Sequence, residues 1–570
     1  MSMICPDTLT ELDTDFGFGL QFLQRWHTTS HLSGSLHYVA WLGSPLSLAA
    51  LQQAHAMWPA MAAQAAMLQA GWPLPSAVPG RLPGCRRFWF AEGRVSLTLM
   101  TGDLADCIAQ CVAVIQRFHV GVTPVAPIAH LLARLAAPAA TLQLPAPDEA
   151  ATVALRAAGF VFSAPLLAHW QRPRASRVVV PSRYAVVVGA GLAGAAVCQR
   201  LAARGWKLTL LDRHCAAAQG ASGNRAGIVM PLLSKDDNVA SRLGRAAFFF
   251  TLQLWRDLGI DHAPCGVFQM ARDAAQATHQ RSTLESANLP RDWVRWLSAR
   301  QASRLIGSTV LEGGWWFSQG GWADPGAVCR ALLAACGAHL QVQYEQSVAS
   351  LRHEGHDWHL LDCAGRSLAQ APVVIFASGA QGTGLAPLHG LPLQSVRGQV
   401  THLAADVFDA PPVVVCGDGY VTPAFQGGCS VGASYDSDED VALRRDSQRQ
   451  NLQRLATLLP QALTNSTMLP LAGRVGFRSV APDRLPLVGA LPCQTNTGHL
   501  ERLSELSRSP GLYAVLGFAS RGLTWAPLAA ELLAAQLCGE PLPIERRLVD
   551  ALDPARFMLQ YLRRQPRRAC

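Results

Sequence analysis

From Tyr184 to Asp212 the chain reads YAVVVGAGLAGAAVCQRLAARGWKLTLLD. The apolar run Val186-Val187-Val188 predicts a buried strand, and the small residues Ala193, Gly194, Ala195 and Ala196 predict the close-packed first turns of a helix from about Leu192 to Arg204, ended by Gly205. Lys207 to Leu211 is then a second strand. Farther on, Val373 to Phe376 predicts an apolar strand ending in the turn Ala377-Ser378-Gly379-Ala380. Cys429 to Tyr435 predicts another, and Leu512 to Phe518 a third, whose turn Ala519 to Gly522 leads to a helix from Pro527 to Cys538. In the first third, His37 to Leu46 reads as a strand and Ala49 to Ala70 as helical. Strands alternating with helices predict an α/β fold, with an antiparallel sheet inserted after the first dinucleotide-type unit.

Gly189, Gly191 and Gly194 form a G-x-G-x-x-G turn between the first strand and its helix, which lets backbone N–H groups approach a pyrophosphate. Asp212 closes the second strand where an acidic side chain can accept hydrogen bonds from an adenosine ribose. Such a glycine pattern alone also occurs as an ordinary turn. Here strand, helix, second strand and acid are all in register, and a nucleotide cofactor is expected.

With 570 residues, half of them hydrophobic, the chain is long enough for two or three domains. A basic, proline-containing stretch, QRPRASR from Gln171 to Arg177, reads as a linker. The expected division is 1–170, a linker at 171–182, and 183–570. Apolar stretches are interrupted by Gln53, His55, Arg134 or prolines, so no membrane span is expected. The acidic start lacks the basic, then apolar, pattern of an export signal, which points to the cytoplasm. The 15 cysteines contain no C-x-x-C pair, the closest being Cys107 and Cys111, and the 17 histidines show no ligand spacing. Reduced thiols and no metal are expected. The net charge of +9, with Arg563, Arg564, Arg567 and Arg568 in the tail, suits a polyanion such as RNA without requiring one.

Several short segments after Tyr184 carry a family likeness. They are Gly220-Ala221-Ser222-Gly223-Asn224 with Met230 to Ser234, Gly320-Gly321-Trp322, Arg397-Gly398-Gln399, Gly417 to Tyr420 with Thr422-Pro423, and Gly432 to Tyr435. Arg474 to Arg478, Asp483 to Pro486 and Ser520 to Leu523 complete the set. From about Tyr184 to Phe557 the chain resembles the FAD-dependent oxidoreductase half of the bacterial bifunctional tRNA 5-methylaminomethyl-2-thiouridine biosynthesis enzymes, within the glycine oxidase and D-amino acid oxidase superfamily. The resemblance implies a Rossmann-like FAD-binding domain with a glycine oxidase-like antiparallel substrate sheet. It implies a non-covalent FAD held by Gly189, Ala190, Gly191, Leu192, Ala193 and Gly194, by Asp212 and Arg213, by Ser222, Gly223 and Asn224, by Gly379, and by Gly522 and Leu523. The implied substrate is tRNA carrying carboxymethylaminomethyl uridine at the wobble position. Oxidation of its glycine-like arm and hydrolysis of the imine would release glyoxylate and leave aminomethyl uridine.

For the carboxylate of that arm, Arg478 is the first candidate, since a guanidinium binds a carboxylate through two parallel hydrogen bonds. An ordinary sheet-edge ion pair is its bland alternative. Tyr420 is expected to add a hydroxyl or to be a plain core aromatic. Arg397 and Arg521 flank turns expected near the flavin, where a cation would stabilise negative charge on the reduced ring; a purely structural role is the alternative for each.

Before the linker, Phe16-Gly17-Phe18-Gly19-Leu20-Gln21-Phe22-Leu23 resembles the F-G-T-G-L-N-F-L loop of the family's methyltransferase domain. Trp72 to Gly84 and Gly93 to Asp103 resemble the segments that follow. Three departures matter. The chain starts just before the glycine loop; Leu42 stands where the family has an acid for the cofactor ribose, and cannot accept those hydrogen bonds; and Val112 to Leu132 lacks the family's D-G-F-A-P turn. Asp103 is either an adenine contact or a turn residue. The expectation is a degenerate, Rossmann-like methyltransferase domain that does not use S-adenosylmethionine and serves as a packing partner or tRNA platform, in a monomer. Two alternatives stay open: a bifunctional enzyme that also methylates, and a flavin oxidase of free small amino acids.

Overall fold

The computed structural model describes residues 8–31, 34–72, 83–121, 124–172, 182–287, 289–382, 384–461 and 470–565. Most of the expected linker, much of Trp72 to Gly84, and Arg567 and Arg568 lie outside the described residues. Two compact units emerge: Met1–Pro181 with Ala287–Asp292 and Ala534–Val549, and Ser182–Ser286 with Trp293–Leu533 and Asp550–Cys570. The two short stretches from the second half that group with the first unit are not anticipated by a linear division.

In the first unit eight strands form one sheet in the order Gly84–Phe90, Val95–Thr101, Leu36–Trp41, Leu9–Asp13, Ile115–His119, Ala136–Gln143, Leu167–Trp170, Phe160–Ala164. The five from Val95–Thr101 to Ala136–Gln143 are parallel. The sheet grows outward from its first strand in both directions, the doubly wound plan expected of a methyltransferase-type domain. Two apolar clusters form its core, one containing Phe118, Leu132 and Leu155 and the other Phe22, Tyr38 and Leu97. The helical reading of Ala49 to Ala70 resolves into Leu48–His55 and Ala62–Gly71, separated by the short turn Pro59–Met61. Pro59 has no amide to continue a helix and disfavours helical geometry in the residue before it.

The second unit holds a six-stranded sheet in the order Leu340–Gln343, Lys207–Leu211, Tyr184–Val188, Val373–Phe376, Arg508–Leu516, Leu487–Pro492, all parallel but the last. An eight-stranded, mostly antiparallel sheet follows the order Val294–Leu297, Gly314–Phe317, Val267–Met270, Val414–Cys416, Tyr420–Val421, Gly428–Gly432, Gln394–Ala404, Gly473–Val480. This pairing of a Rossmann-like sheet with an antiparallel sheet is the expected fold class.

Local boundaries differ from expectation in several places; the strands expected at His37 to Leu46 and Leu512 to Phe518 are Leu36–Trp41 and Arg508–Leu516. The first dinucleotide helix spans Leu192–Ala202, and Arg204 and Gly205 lie in the turn after it. The strand expected at Cys429 to Tyr435 is Gly428–Gly432, so Ala433 to Tyr435 leave the sheet. The last long helix spans Gly522–Cys538 rather than starting at Pro527. Trp525 N already donates to Arg521 O at 2.9 Å, so the turn runs straight into the helix and Pro527 is carried inside it.

Candidate active site

The second unit encloses a cavity of about 680 Å3 that runs from the glycine turn to the antiparallel sheet. At the first end, Gly189 has φ +111°, and a Cβ there would lie 2.6 Å from Ala377 O, so only glycine lets this turn pass the end of the neighbouring strand. Gly194 is equally bare because a Cβ would strike the carbonyl of Gly189. Asp212 Oδ2 accepts the Ala190 amide at 2.6 Å, and Asp212 Oδ1 accepts His214 N at 2.8 Å. The acid therefore braces the glycine turn as well as lining the cavity.

Two helix N-termini face this space: Leu192 and Gly522 both line it. Ser222 Oγ accepts Leu192 N at 3.1 Å. The loop carrying Ser222 is held by Arg474, whose Nη2 donates to Gln219 O at 2.7 Å and Gly220 O at 2.6 Å. Deeper in the fold, Glu531 accepts Arg200 Nε at 2.7 Å and Arg204 Nη2 at 2.8 Å, locking the two helices together. The hydroxyls of Ser378 and Ser479, both cavity residues, are buried without a hydrogen-bond partner among the described residues. Buried polar atoms ordinarily have partners, so a bound group belongs here. Two positive helix ends, an acid closing the second strand and these two hydroxyls fit a pyrophosphate-bridged dinucleotide.

At the far end stand Tyr420, Tyr435, Phe477, Arg478 and Arg521. Arg478, on strand Gly473–Val480, lies across Gly398 of the neighbouring strand, where any Cβ would collide with its guanidinium. Its Nη1 donates to Ser434 O at 3.3 Å, its guanidinium sits 4.6 Å from the Tyr435 ring centroid, and no carboxylate lies within ion-pairing distance among the described residues. Burial pushes the Tyr420 hydroxyl up to about 12, with Arg478 pulling the other way, so it is a neutral donor at ordinary pH. Arg521 stacks over Trp525 at 5.6 Å, and burial holds its guanidinium below its usual value.

Of the residues singled out from sequence, Gly189, Gly191, Leu192, Ala193, Asp212, Arg213, Ser222, Asn224, Gly379, Gly522 and Leu523 line the cavity, as do Tyr420, Arg478 and Arg521. Ala190, Gly194 and Gly223 do not; the bare Gly194 and Gly223 let neighbouring groups close up behind the lining, and Ala190 gives its amide to Asp212. Arg397 is a correction. Its side chain is fully buried inside the antiparallel sheet and does not line the cavity, with Asp436 Oδ2 at 3.0 Å and the carbonyls of Asp440 and Ala442 each at 2.6 Å. A buried guanidinium must satisfy its donors, and this one does so within the protein. Ser378 belongs to the small-residue turn expected after the strand Val373–Phe376, whereas Ser479 and Tyr435 are additions, since nothing local marks one serine or tyrosine as facing a cavity.

In the first unit the glycine loop is filled from within. Phe16 is 2% exposed, stacks on Trp72, and its amide donates to Trp41 O at 2.9 Å. Leu42 is buried in the core, and Asp103 caps the helix Leu104–Gln110 by accepting Asp106 N at 2.9 Å. Thr14 N donates to His119 O, and Thr14 Oγ1 accepts Gly121 N, both at 3.0 Å, which ties together the ends of the paired strands Leu9–Asp13 and Ile115–His119. Beside it, Glu11 is fully buried between Arg25 and His119, bonded at 2.6 and 2.7 Å. Burial pushes its carboxyl up, but the hydrogen bonds from His119 and Arg25 outweigh that and hold it below the ordinary value. All described cysteines are free thiols. No helix among the described residues is long and apolar enough to cross a membrane.

The family model for FAD dependent oxidoreductases matches residues 185–536. A tRNA 5-methylaminomethyl-2-thiouridine biosynthesis bifunctional protein of Azoarcus sp. (strain BH72) is 42% identical, over 97% of this chain and 90% of its own. One of the same name from Ralstonia nicotianae is 39% identical over 98% and 91%. Among solved structures, L-proline dehydrogenase from P. horikoshii has a TM-score of 0.55 at 18% identity, covering 67% of this chain and 99% of its own. Glycine oxidase from Geobacillus kaustophilus has 0.50 at 22%, covering 62% and 94%. The two structures share the fold.

Proposed function

The chain belongs to the family of tRNA 5-methylaminomethyl-2-thiouridine biosynthesis bifunctional proteins and to the FAD dependent oxidoreductases, and on that premise we propose that it oxidises carboxymethylaminomethyl uridine, or its 2-thio form, at the tRNA wobble position in the cytoplasm. The products are aminomethyl uridine and glyoxylate. The observation that carries this reading is Arg478, a guanidinium without a carboxylate partner among the described residues, in the same cavity as the glycine turn.

Residues Gly189 to Gly194, Asp212, Ser222 and the Gly522 helix end would hold FAD without a covalent link. When bound, it supplies the two-electron oxidation of the amine. Arg478 takes the carboxylate of the glycine-like arm as a two-pronged hydrogen bond, and the neutral Tyr420 donates a further one. Holding both carboxylate oxygens orients the adjacent C–H bond, which is how a site of this kind lowers the barrier. Arg521, cationic and shielded from water, stabilises negative charge that develops nearby. The neutral amine loses the C–H hydrogen with its electron pair and then the N–H proton. Water adds to the resulting imine, and the C–N bond breaks to give glyoxylate and the primary amine.

The first unit, in this reading, does not bind S-adenosylmethionine. Leu42, buried in the core, offers no acceptor for a ribose. Its relatives' name, "bifunctional", favours the second reading, in which methylation also occurs.

One assay separates these. Purified protein is mixed with tRNA bearing the carboxymethylaminomethyl group, with and without S-adenosylmethionine, and flavin absorbance and nucleoside mass are followed together. Flavin bleaching with conversion to aminomethyl uridine and no further mass gain is expected. A further methyl group establishes the bifunctional reading. No oxidation of tRNA, with turnover of glycine or N-methylglycine, replaces the proposal with an oxidase of free amino acids.

A further inference from the structure

Between Gly432 and Arg444 the chain leaves the antiparallel sheet and returns along a segment tied down nearly residue by residue. Arg397 exchanges two backbone hydrogen bonds with Asp436, at 2.9 and 3.0 Å, and its side chain holds Asp436, Asp440 and Ala442. Gln399 N donates to Ser434 Oγ at 3.0 Å, and the Gln399 side chain exchanges two hydrogen bonds with the Arg444 backbone, at 2.9 and 2.8 Å. Arg444 pairs with Asp438 and Asp440 at 2.8 and 2.9 Å. Arg397, Gln399 and Ser434 are all fully buried. Such a segment is rigid before anything binds.

On this rigid frame the apolar side chains are left in water. Tyr435 is 63% exposed and Val441 76%, and both line the open side of the cavity. Exposing an aromatic ring forgoes the gain from burying it. The Tyr435 ring also has the Arg478 guanidinium 4.6 Å from its centroid. A carboxylate seated on Arg478 would leave the rest of its molecule beside Tyr435.

We propose that Tyr435, set in place by the Arg397-pinned segment 434–444, is a stacking platform for the flat pyrimidine that carries the glycine-like arm. Resting on the functional reading above, it explains how the cavity would favour a base-linked arm over a free amino acid. Single-stranded RNA loops are recognised by bases splayed out onto aromatic faces, and a guanidinium beside the ring adds a cation–π contribution. Arg397 is then a positioning residue that acts through Tyr435.

The test uses the full chain with its flavin and two probes: tRNA bearing carboxymethylaminomethyl uridine, and N-methylglycine, read as a substrate or as a competitive inhibitor of tRNA oxidation. Tyr435→Ala is expected to lower kcat/KM for the tRNA roughly 10-fold or more, mainly through KM. N-methylglycine, which has no base to stack, loses far less, so preference for the tRNA collapses. Tyr435→Phe keeps the ring and restores the preference. Arg397→Lys shifts the preference in the same direction, with melting temperature and flavin content measured alongside. An unchanged preference in Tyr435→Ala overturns the proposal, and so does an equal loss on both probes. Failure of the unaltered protein to oxidise the tRNA removes the functional reading and this one with it, whereas oxidation with an unchanged preference removes this one alone.

Discussion

Arg200 Nε and Glu531 Oε2 meet at 2.7 Å in the interior of the second unit, on side chains 5% and 0% exposed. Each sits on a helix whose first residue lines the cavity, Leu192 in one case and Gly522 in the other. Their contact, completed by Arg204 on the second carboxylate oxygen, sets the distance between the two helix ends that line the cavity. Glu531→Gln leaves two guanidiniums poorly compensated and should cost about 3–5 kcal/mol. Denaturant unfolding of the flavin-loaded protein checks this, and flavin should be lost early in the transition. Unchanged stability would mean the pair is not a structural lock.

Asp212 has two tasks, bracing the Ala190 amide at 2.6 Å and facing the cavity. Asp212→Ala should weaken flavin binding by about 10- to 100-fold, as expected for losing hydrogen bonds to a charged group. Titration of apoprotein by flavin fluorescence measures it. Asp212→Asn, which keeps one acceptor oxygen, should fall between.

Arg478→Ala should reduce kcat/KM for the modified tRNA by about 100-fold or more, since it removes a bidentate, charge-assisted contact. Arg478→Lys keeps the charge but not the fork and should recover only part of the loss. Flavin content should stay near that of the unaltered protein in both. Steady-state kinetics beside the flavin spectrum separates a carboxylate-binding role from a structural one.

Tyr420 titrates at about 12 because of burial, well above the ordinary 10. Between those values the folded protein keeps a proton that the unfolded chain has released. The group's stabilising effect is therefore complete below pH 10 and is lost as pH rises toward 12. No alkaline fall in kcat/KM below about pH 10 should come from this phenol. Tyr420→Phe should lower activity without moving any alkaline limb seen below that pH.

In the first unit burial pushes Asp13 up to about 6, against the hydrogen bonds from Asp15 N and the Tyr38 hydroxyl. Here the folded form holds its proton between the ordinary value of 3.8 and about 6, so this group stabilises the unit at pH 4 and ceases to as pH passes 6. Asp13→Asn should raise stability at pH 7 by about 1–3 kcal/mol and flatten the slope between pH 4 and 6. Melting curves across that range test it.

Features that depend on neighbours in sequence were legible from it. The run from Tyr184 to Asp212 specifies strand, turn, helix and strand within one local unit, because periodicity and glycine placement act over a few residues. Arg478 could be singled out for the same reason, through its place in a short motif. The absent acid at Leu42 was equally plain. Arg397 shows the limit: its motif is as well marked as that of Arg478, yet one guanidinium faces the cavity and the other is buried against Asp436 and two carbonyls. Adjacent strands decide that difference, with Gly398 opening a path for Arg478 over the sheet. The hydroxyls of Ser378 and Ser479, without a partner among the described residues, and the exposed ring of Tyr435 likewise follow from contacts between segments far apart in the chain. Sequence by itself determined which local elements form and which chemical groups they carry. Tertiary structure alone decided which of those groups face the cavity and which face one another, because burial and hydrogen-bond partners are set by non-local packing.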